Sequence, residues 1–153
     1  MEKLRISRAR LEDAGEILDL QKVAYQSEAA LYDDWSIPPL TQTLEEIREE
    51  FESKVFLKAM HEGRIIGSVR ASTEGETCLI GRLIVHPDFQ RRGIGAKLME
   101  RIESHFSEAG RFELFTGDRS ENNIRLYRRL GYREIKRKKL TDKVILVFME
   151  KRP

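Results

Sequence analysis

Apolar residues recur along the chain with two different periods, and the switches between them divide it into elements. Leu4, Ile6 and Ser7 alternate with Lys3 and Arg5, which predicts a short first strand. A helical period follows. Arg10-Leu11-Glu12-Asp13-Ala14 places acids in a first turn, and Ala14, Ile17, Leu18, Leu20, Gln21, Ala24 and Tyr25 mark an apolar stripe running to about Ala30. The period is lost over Asp33-Asp34-Trp35-Ser36-Ile37-Pro38-Pro39-Leu40, where two prolines predict a loop. Thr43-Leu44-Glu45-Glu46 has the spacing of a capping box, so a short helix should open there and run to about Phe51 or Glu52.

Strand patterns then dominate. Val55 to Met60 and Arg64 to Arg70 flank His61-Glu62-Gly63, whose glycine suits a hairpin turn. Thr73-Glu74-Gly75-Glu76 predicts a second turn into a strand from Leu79 to Val85. His86-Pro87 stops that strand, because proline has no N–H for a ladder. Ile94, Leu98, Ile102 and Phe106 return to helical spacing, with Lys97, Glu100, Arg101, Glu103 and Glu108 on the other faces. Beyond the stop at Gly110, Phe112 to Thr116 reads as a strand, parallel to its predecessor across the helical crossover. Ser120-Glu121-Asn122-Asn123 caps a further helix through Ile124, Tyr127 and Leu130 to Gly131, and Tyr132 to Lys136 and Lys143 to Met149 read as a closing antiparallel pair. The predicted architecture is α/β, a mixed and mostly antiparallel central sheet flanked by helices. Its order is strand, two helices, three strands, helix, strand, helix, two strands, in one domain spanning residues 1–153.

Composition narrows the setting. Lys and Arg number 28 against 26 Asp and Glu, and a net charge of +2 gives no case for nucleic acid or an anionic membrane. The only cysteine, Cys78, has no internal disulfide partner, and no stretch approaches the roughly 20 apolar residues of a spanning helix. No charged and apolar leader opens the chain, so the expected location is the cytoplasm. His61, His105 and Cys78 are isolated from one another in pattern, and no metal is expected.

The chemistry concentrates between the third strand of the hairpins and the helix after it. Gly93 and Gly95 remove Cβ atoms where the backbone turns into the helix, leaving several N–H groups at its positive end free to close on an anion. Arg91, Arg92 and Lys97 add charge, and a diphosphate is the natural occupant. The spacing is neither that of a P-loop nor that of a dinucleotide fingerprint, which needs a third glycine where Leu98 stands. Gln90-Arg91-Arg92-Gly93-Ile94-Gly95 instead resembles the Q/R-x-x-G-x-G/A signature of the GNAT superfamily of acyl-CoA N-acyltransferases. Roughly 30 residues further along, Asn123-Ile124-Arg125-Leu126-Tyr127-Arg128-Arg129-Leu130-Gly131-Tyr132 is similar to that family's N-x-x-L-Y-x-x-L-G-[FY] motif.

That resemblance implies an acetyl-CoA-dependent N-acetyltransferase acting on a primary amine of a small molecule or peptide. It implies that the backbone of Leu83, Ile84 and Val85 lies along the pantetheine arm. The diphosphate would rest on the N–H groups of Arg91, Arg92, Gly93, Ile94, Gly95 and Ala96, with Asn123 on the arm's other side. Tyr127 takes the place of the general acid, its ordinary pKa of about 10 leaving the proton in place at neutral pH. The carboxylate that many members carry on the strand before the glycine loop is missing, since Gly81, Arg82 and Ile84 stand there. The base is therefore open between His86, water and an acid of the first loop. Asp33, Asp34 and Glu28 beside Tyr25, Tyr32 and Trp35 would suit a cationic acceptor, and would equally suit a solvated loop. Three other readings stay open: a coenzyme-binding module without turnover, a protein N-terminal or lysine acetyltransferase, and an interaction domain using Arg133, Lys136, Arg137, Lys138 and Lys139. A homodimer is also compatible with the sequence.

Overall fold

The computed structural model describes residues 4–153, so Lys3 of the expected first strand lies outside the described residues. Its strands are β1 (Arg5–Arg8), β2 (Val55–His61), β3 (Arg64–Glu74), β4 (Thr77–Val85), β5 (Arg111–Gly117), β6 (Arg133–Lys139) and β7 (Ile145–Lys151). They form one sheet in the order β1-β2-β3-β4-β5-β7-β6. Every neighbouring pair is antiparallel except β4 and β5, which run parallel across the helical crossover. This is the mixed, mostly antiparallel sheet that the alternation predicts.

Helices cover both faces. On one, α1 (Ala14–Ala24) and α4 (Leu44–Glu50) bury Ile17, Leu18, Leu20 and Ile47 against Phe56, Ile65 and Ile84. On the other, α5 (Ile94–His105) and α6 (Glu121–Arg129) bury Leu98, Met99, Ile102 and Tyr127 against Leu57, Val69 and Ile80. The adjacent residues Phe56 and Leu57 thus serve opposite cores, as the two-residue period of a strand requires. The capping box at Thr43 forms as expected, with the Glu46 N–H donating to Thr43 Oγ1 at 3.2 Å and the Thr43 N–H to Glu46 Oε1 at 2.8 Å.

Several boundaries depart from the periodicity. The single helix expected from Arg10 to about Ala30 is a 3-10 turn at Leu11–Asp13, then α1, a break at Tyr25 (φ −87°, ψ 0°), and α2 (Gln26–Tyr32). The break lets the two halves serve different cores: α1 packs on the sheet, whereas Ala29 and Tyr32 of α2 pack with Ile37 and Val144. Within the expected loop, Pro38–Thr41 forms a one-turn helix, α3, because Pro38 at its first position has φ already set and no N–H to lose. The second hairpin turn begins later than Thr73, since β3 continues through Glu74 and the reversal is made at Gly75 (φ 62°). Lys143 belongs to the turn before β7, where its N–H donates to Thr141 Oγ1 at 3.2 Å.

Two irregularities position the site. The parallel pairing of β4 with β5 covers only Thr77, Cys78 and Leu79 opposite Arg111, Phe112 and Glu113. Past Leu79 the strands diverge, while β5 stays paired to β7 as far as Gly117. Beside that opening β4 carries a bulge: Gly81 pairs with Arg70 and Ile84 with Ser68, so Arg82 and Leu83 together oppose Val69. Arg82 takes up the extra length in the left-handed region, at φ 51°.

Candidate active site

The divergence of β4 from β5 opens a cavity of about 510 Å³. Its walls come from β4 (Leu79–Leu83), β5 (Leu114–Gly117), α6 (Asn123, Tyr127), α2 (Glu28, Tyr32) and the Ile37–Pro39 segment. On the β4 side, residues from Ile80 to Val85 have no partner strand at this edge, leaving backbone donors and acceptors available to an extended ligand. Leu83 lines the cavity, Ile84 is buried in the core under α1, and Val85 is half-buried with its carbonyl accepting from Gln90 Nε2 at 3.4 Å.

The glycine loop lies where β4 gives way to α5. Arg91 (φ 63°) and Gly93 (φ 79°) are both left-handed, curling the chain so that successive N–H groups converge ahead of the helix. Lys97 is the first residue to bond back, its N–H reaching the Gly93 carbonyl at 3.1 Å, so the amides of Ile94, Gly95 and Ala96 have no acceptor within α5. The two glycines therefore differ. Gly93 supplies a conformation that L side chains avoid, whereas a Cβ on Gly95 would only come to 3.5 Å from Leu126 Cδ2, an ordinary contact. Arg92 stacks its guanidinium 5.3 Å from the Phe89 ring centre, so its side chain is turned to that ring and the backbone N–H is what it offers the loop. Arg91 and Lys97 are exposed. Free amides at a helix N-terminus and an unpaired strand edge alongside are together what a diphosphate joined to an extended amide chain would engage.

At the far end of the opening stands Tyr127. It is 6 % exposed, packs edge-on to Tyr132 with ring centres 6.0 Å apart, and lines the cavity. Burial, then the neighbouring Tyr25 and Glu28, hold its phenol well above the ordinary range, so the proton is firmly in place. Asn123, one helical turn earlier, also faces the cavity.

Sequence reasoning grouped Glu28 with the acidic loop, and the structure separates them. Glu28 is half-buried in the cavity wall, within electrostatic reach of the phenols of Tyr25, Tyr32 and Tyr127. Burial raises its carboxyl pKa above the usual carboxylate range, against a stabilising hydrogen bond donated by Ser120 Oγ. Ser120 occupies the expected N-cap position of α6, but its hydroxyl serves Glu28 and makes no cap bond. Asp33 and Asp34, the expected acceptor carboxylates, are exposed and half-buried respectively, and both are absent from the cavity wall. Asp33 ends α2 in the left-handed region (φ 49°) and turns the chain outward, and the Asp34 carboxylate accepts from the Ser36 N–H and Oγ at 3.0 and 2.6 Å. Trp35 is 56 % exposed, so of the aromatic set Tyr25 and Tyr32 line the cavity. His86 caps the 3-10 turn after β4, its Nδ1 accepting from the Asp88 N–H at 3.1 Å, and lies outside the cavity wall. The basic run is β6, exposed throughout on the sheet's outer edge.

Gly117 is a site residue with no motif to announce it. A Cβ there would fall 2.2 Å from the Tyr32 hydroxyl oxygen, so only glycine lets that ring reach the end of β5. Tyr32 is pinned by donating to Asp118 Oδ1 at 3.0 Å and accepting from the Arg119 N–H at 2.7 Å.

Among the described residues no helix is long and apolar enough to cross a membrane, and no group of three or more His, Cys, Asp or Glu side chains is placed to hold a metal ion. The fold is similar to that of the PaiA N-acetyltransferase of Thermoplasma acidophilum in complex with coenzyme A (TM-score 0.79, 17 % identity, 99 % of each chain covered). It is also similar to YncA, a putative acetyltransferase of Salmonella typhimurium with acetyl-CoA (TM-score 0.77, 19 % identity, 99 % of this chain and 94 % of the other). In sequence the chain is 29 % identical over 133 residues to the UPF0157 protein YqkA of Bacillus subtilis, covering 87 % of this chain and 38 % of YqkA. It is 34 % identical over 83 residues to the acetyltransferase ECA0875 of Pectobacterium atrosepticum, covering 53 % of this chain and 59 % of the relative. The chain thus spans less than two thirds of either relative's length. A family model for the acetyltransferase (GNAT) domain matches residues 24–153, and the chain belongs to that family.

Proposed function

We propose that this chain is an acetyl-CoA-dependent N-acetyltransferase of primary amines, in which the cavity between β4 and β5 brings thioester and amine together. One observation carries the reading: the edge of β4 from Ile80 to Val85 has no partner strand and opens on the cavity that Tyr127 lines, while at the start of α5 the amides of Ile94, Gly95 and Ala96 have no acceptor within the helix. Acetyl-CoA supplies an activated acyl group on sulfur. In this arrangement Arg91, Arg92, Gly93, Ile94, Gly95 and Ala96 present backbone N–H groups to the diphosphate. Leu83, Ile84 and Val85 offer the strand edge, and Asn123 stands opposite. The buried Tyr127 phenol keeps its proton for the leaving sulfur.

Glu28 is the residue best placed to take the proton that the amine must lose. It is the cavity carboxylate coupled to Tyr127, and its raised pKa brings it nearer to neutrality than an exposed glutamate. The nitrogen–carbon bond forms as the carbon–sulfur bond breaks. Glu28 takes one proton from the incoming ammonium and passes it to solvent. The second proton lost by nitrogen replaces the one that Tyr127 gives to sulfur.

The test is calorimetric titration with acetyl-CoA followed by a thiol-release assay on a broad panel of amines, with products identified by mass. Binding together with transfer to at least one amine is the expected result. Absence of binding would remove the proposed site, and binding without transfer to any amine would leave only a coenzyme-binding module.

A further inference from the structure

The charged side chains lining the cavity are Glu28, Glu50, Lys54, Arg70, Arg82 and Glu113. Most are already matched. Glu50 accepts from Lys54 at 2.9 Å and from Arg70 at 3.2 Å, and Glu113 accepts from Arg111 at 2.7 Å. Two remain without an opposite charge among the described residues. Glu28 is held by the neutral hydroxyl of Ser120, and Arg82 donates a single hydrogen bond to the neutral Gln42 Oε1 at 3.3 Å. That oxygen is already the acceptor for Gln21 Nε2 at 3.0 Å and for Arg70 at 3.3 Å, so it satisfies little of a guanidinium with five donors.

The backbone directs Arg82 to this place. In a regular strand, residues 80, 82 and 84 would share one face. Ile80, however, belongs to the core under α5 and Ile84 to the core under α1, because the bulge at Arg82 and Leu83 shifts the phase between them. Arg82 thereby leaves the face of Ile80 and joins Gln42 and Arg70 on the opposite one, at the cost of a left-handed conformation that a residue with a Cβ rarely adopts. A half-buried, unneutralised cation on β4 and an unneutralised carboxylate on α2 both act on the Tyr25 phenol, which lines the same cavity. Burial raises that phenol's pKa, Arg82 pulls it down and Glu28 pushes it up.

We infer that the acceptor is a small zwitterion, a primary amine carrying a carboxylate or phosphate, with its ammonium at Glu28 and its anionic group on the guanidinium of Arg82. This deepens the acetyl-transfer reading and rests on it. It replaces Asp33 and Asp34, which lie outside the cavity wall and would have selected a cation, with an electrostatic pair inside the cavity that selects against diamines. Arg82 acts here as a specificity residue: it binds one end of the acceptor and takes no part in the bonds made or broken.

The experiment compares β-alanine, phosphoethanolamine, n-propylamine and ethylenediamine in two readouts. One is acetylation kinetics with acetyl-CoA. The other is the acceptor dissociation constant in the presence of coenzyme A, where no transfer occurs. At least one anionic acceptor should exceed n-propylamine about tenfold or more in both, with ethylenediamine weakest. The better of β-alanine and phosphoethanolamine identifies the anion. Arg82→Gln should raise KM and the dissociation constant for that acceptor about tenfold to a hundredfold, leave n-propylamine unchanged, and bind acetyl-CoA normally. Arg82→Lys should retain part of the preference. If Arg82→Gln fails to fold, the wild-type ranking and its weakening with added salt decide the matter. Transfer to n-propylamine or ethylenediamine as good as to both anionic amines would overturn the inference while leaving the transferase reading intact. So would an anion preference that survives Arg82→Gln. Binding of acetyl-CoA with no transfer to any amine would overturn both.

Discussion

Gly117 and Tyr32 pack too closely to admit a Cβ between them, and this yields a quantitative expectation. Gly117 ends β5 without a left-handed backbone, so an alanine there meets no conformational barrier; what it meets is the Tyr32 ring. The added Cβ would stand 2.2 Å from the hydroxyl oxygen, 2.9 Å from Cζ and 3.0 Å from Cε2. The ring has little freedom to retreat, being 5 % exposed, packed with Ala29, Ile37 and Val144, and tied to Asp118 and Arg119. Overpacking of this kind costs about 1–3 kcal/mol, and giving up the two hydrogen bonds adds about 1 kcal/mol. Gly117→Ala should therefore lose about 2–4 kcal/mol, or roughly 5 to 15 °C in Tm for a chain of this size. Urea unfolding of the wild type, Gly117→Ala, Tyr32→Phe and the double variant isolates the cause. Removing the hydroxyl removes the shortest contact, so the double variant should be more stable than the sum of the singles allows by about 1 kcal/mol or more. Additivity within about 0.5 kcal/mol would refute the steric account.

The remaining expectations concern the loop and the two proton carriers. Gly95→Asp should leave Tm level or slightly raised, since an acid suits a helix N-terminus, yet weaken acetyl-CoA about tenfold or more by repelling the diphosphate. Gly93→Asp should do both kinds of harm, because its φ of 79° penalises any side chain. Equal affinity of both variants and wild type would clear the loop of coenzyme contact. Tyr127→Phe should fold and bind acetyl-CoA as before while kcat falls about a hundredfold, read under conditions where chemistry limits turnover. Glu28→Gln should be inactive near neutrality and yet more stable than wild type. A carboxyl whose pKa is raised on folding contributes its full stability below the unfolded value of about 4.3 and loses it as pH rises through the folded value, whereas glutamine titrates nowhere. The two melting curves should thus converge in acid and separate towards neutral pH, and a variant less stable at both ends would contradict the burial argument.

Much of the architecture was legible because it depends on local chemistry. The Thr43 capping box, the stop at His86-Pro87, the left-handed Gly93 and the apolar face of α5 are each set by residues within a few positions of one another. The Tyr127 and Asn123 motif likewise lies on one face of one helix, so its spacing carries over directly to the cavity wall. What was not legible depends on partners distant in sequence. The helix break at Tyr25 separates α1 from α2, whose Ala29 and Tyr32 pack with Ile37 and the distant Val144 in a core apart from that of α1. Glu28 was grouped with Asp33 and Asp34 by proximity in sequence, but its hydrogen-bond partner is Ser120, 92 residues away. The need for glycine at position 117 is invisible without Tyr32.

The bulge in β4 shows why these omissions gathered at the site. Leu79 to Val85 reads as a regular apolar strand, and a regular strand would put Arg82 on the same face as Cys78 and Ile80, a poor place for a guanidinium. One extra residue resolves that conflict by shifting the phase, so Leu83 and Val85 pack on the α5 side while Arg82 moves to the side of Arg70 and Gln42. The irregularity lies in the segment where β4 has already lost β5 as its partner, so the parallel ladder forfeits nothing by it. The opening of the sheet, the free strand edge and the reorientation of Arg82 therefore share one stretch of backbone. Restoring a regular register by deleting Arg82 would be expected to disturb the strand edge and the acceptor wall together, because the same residues serve both.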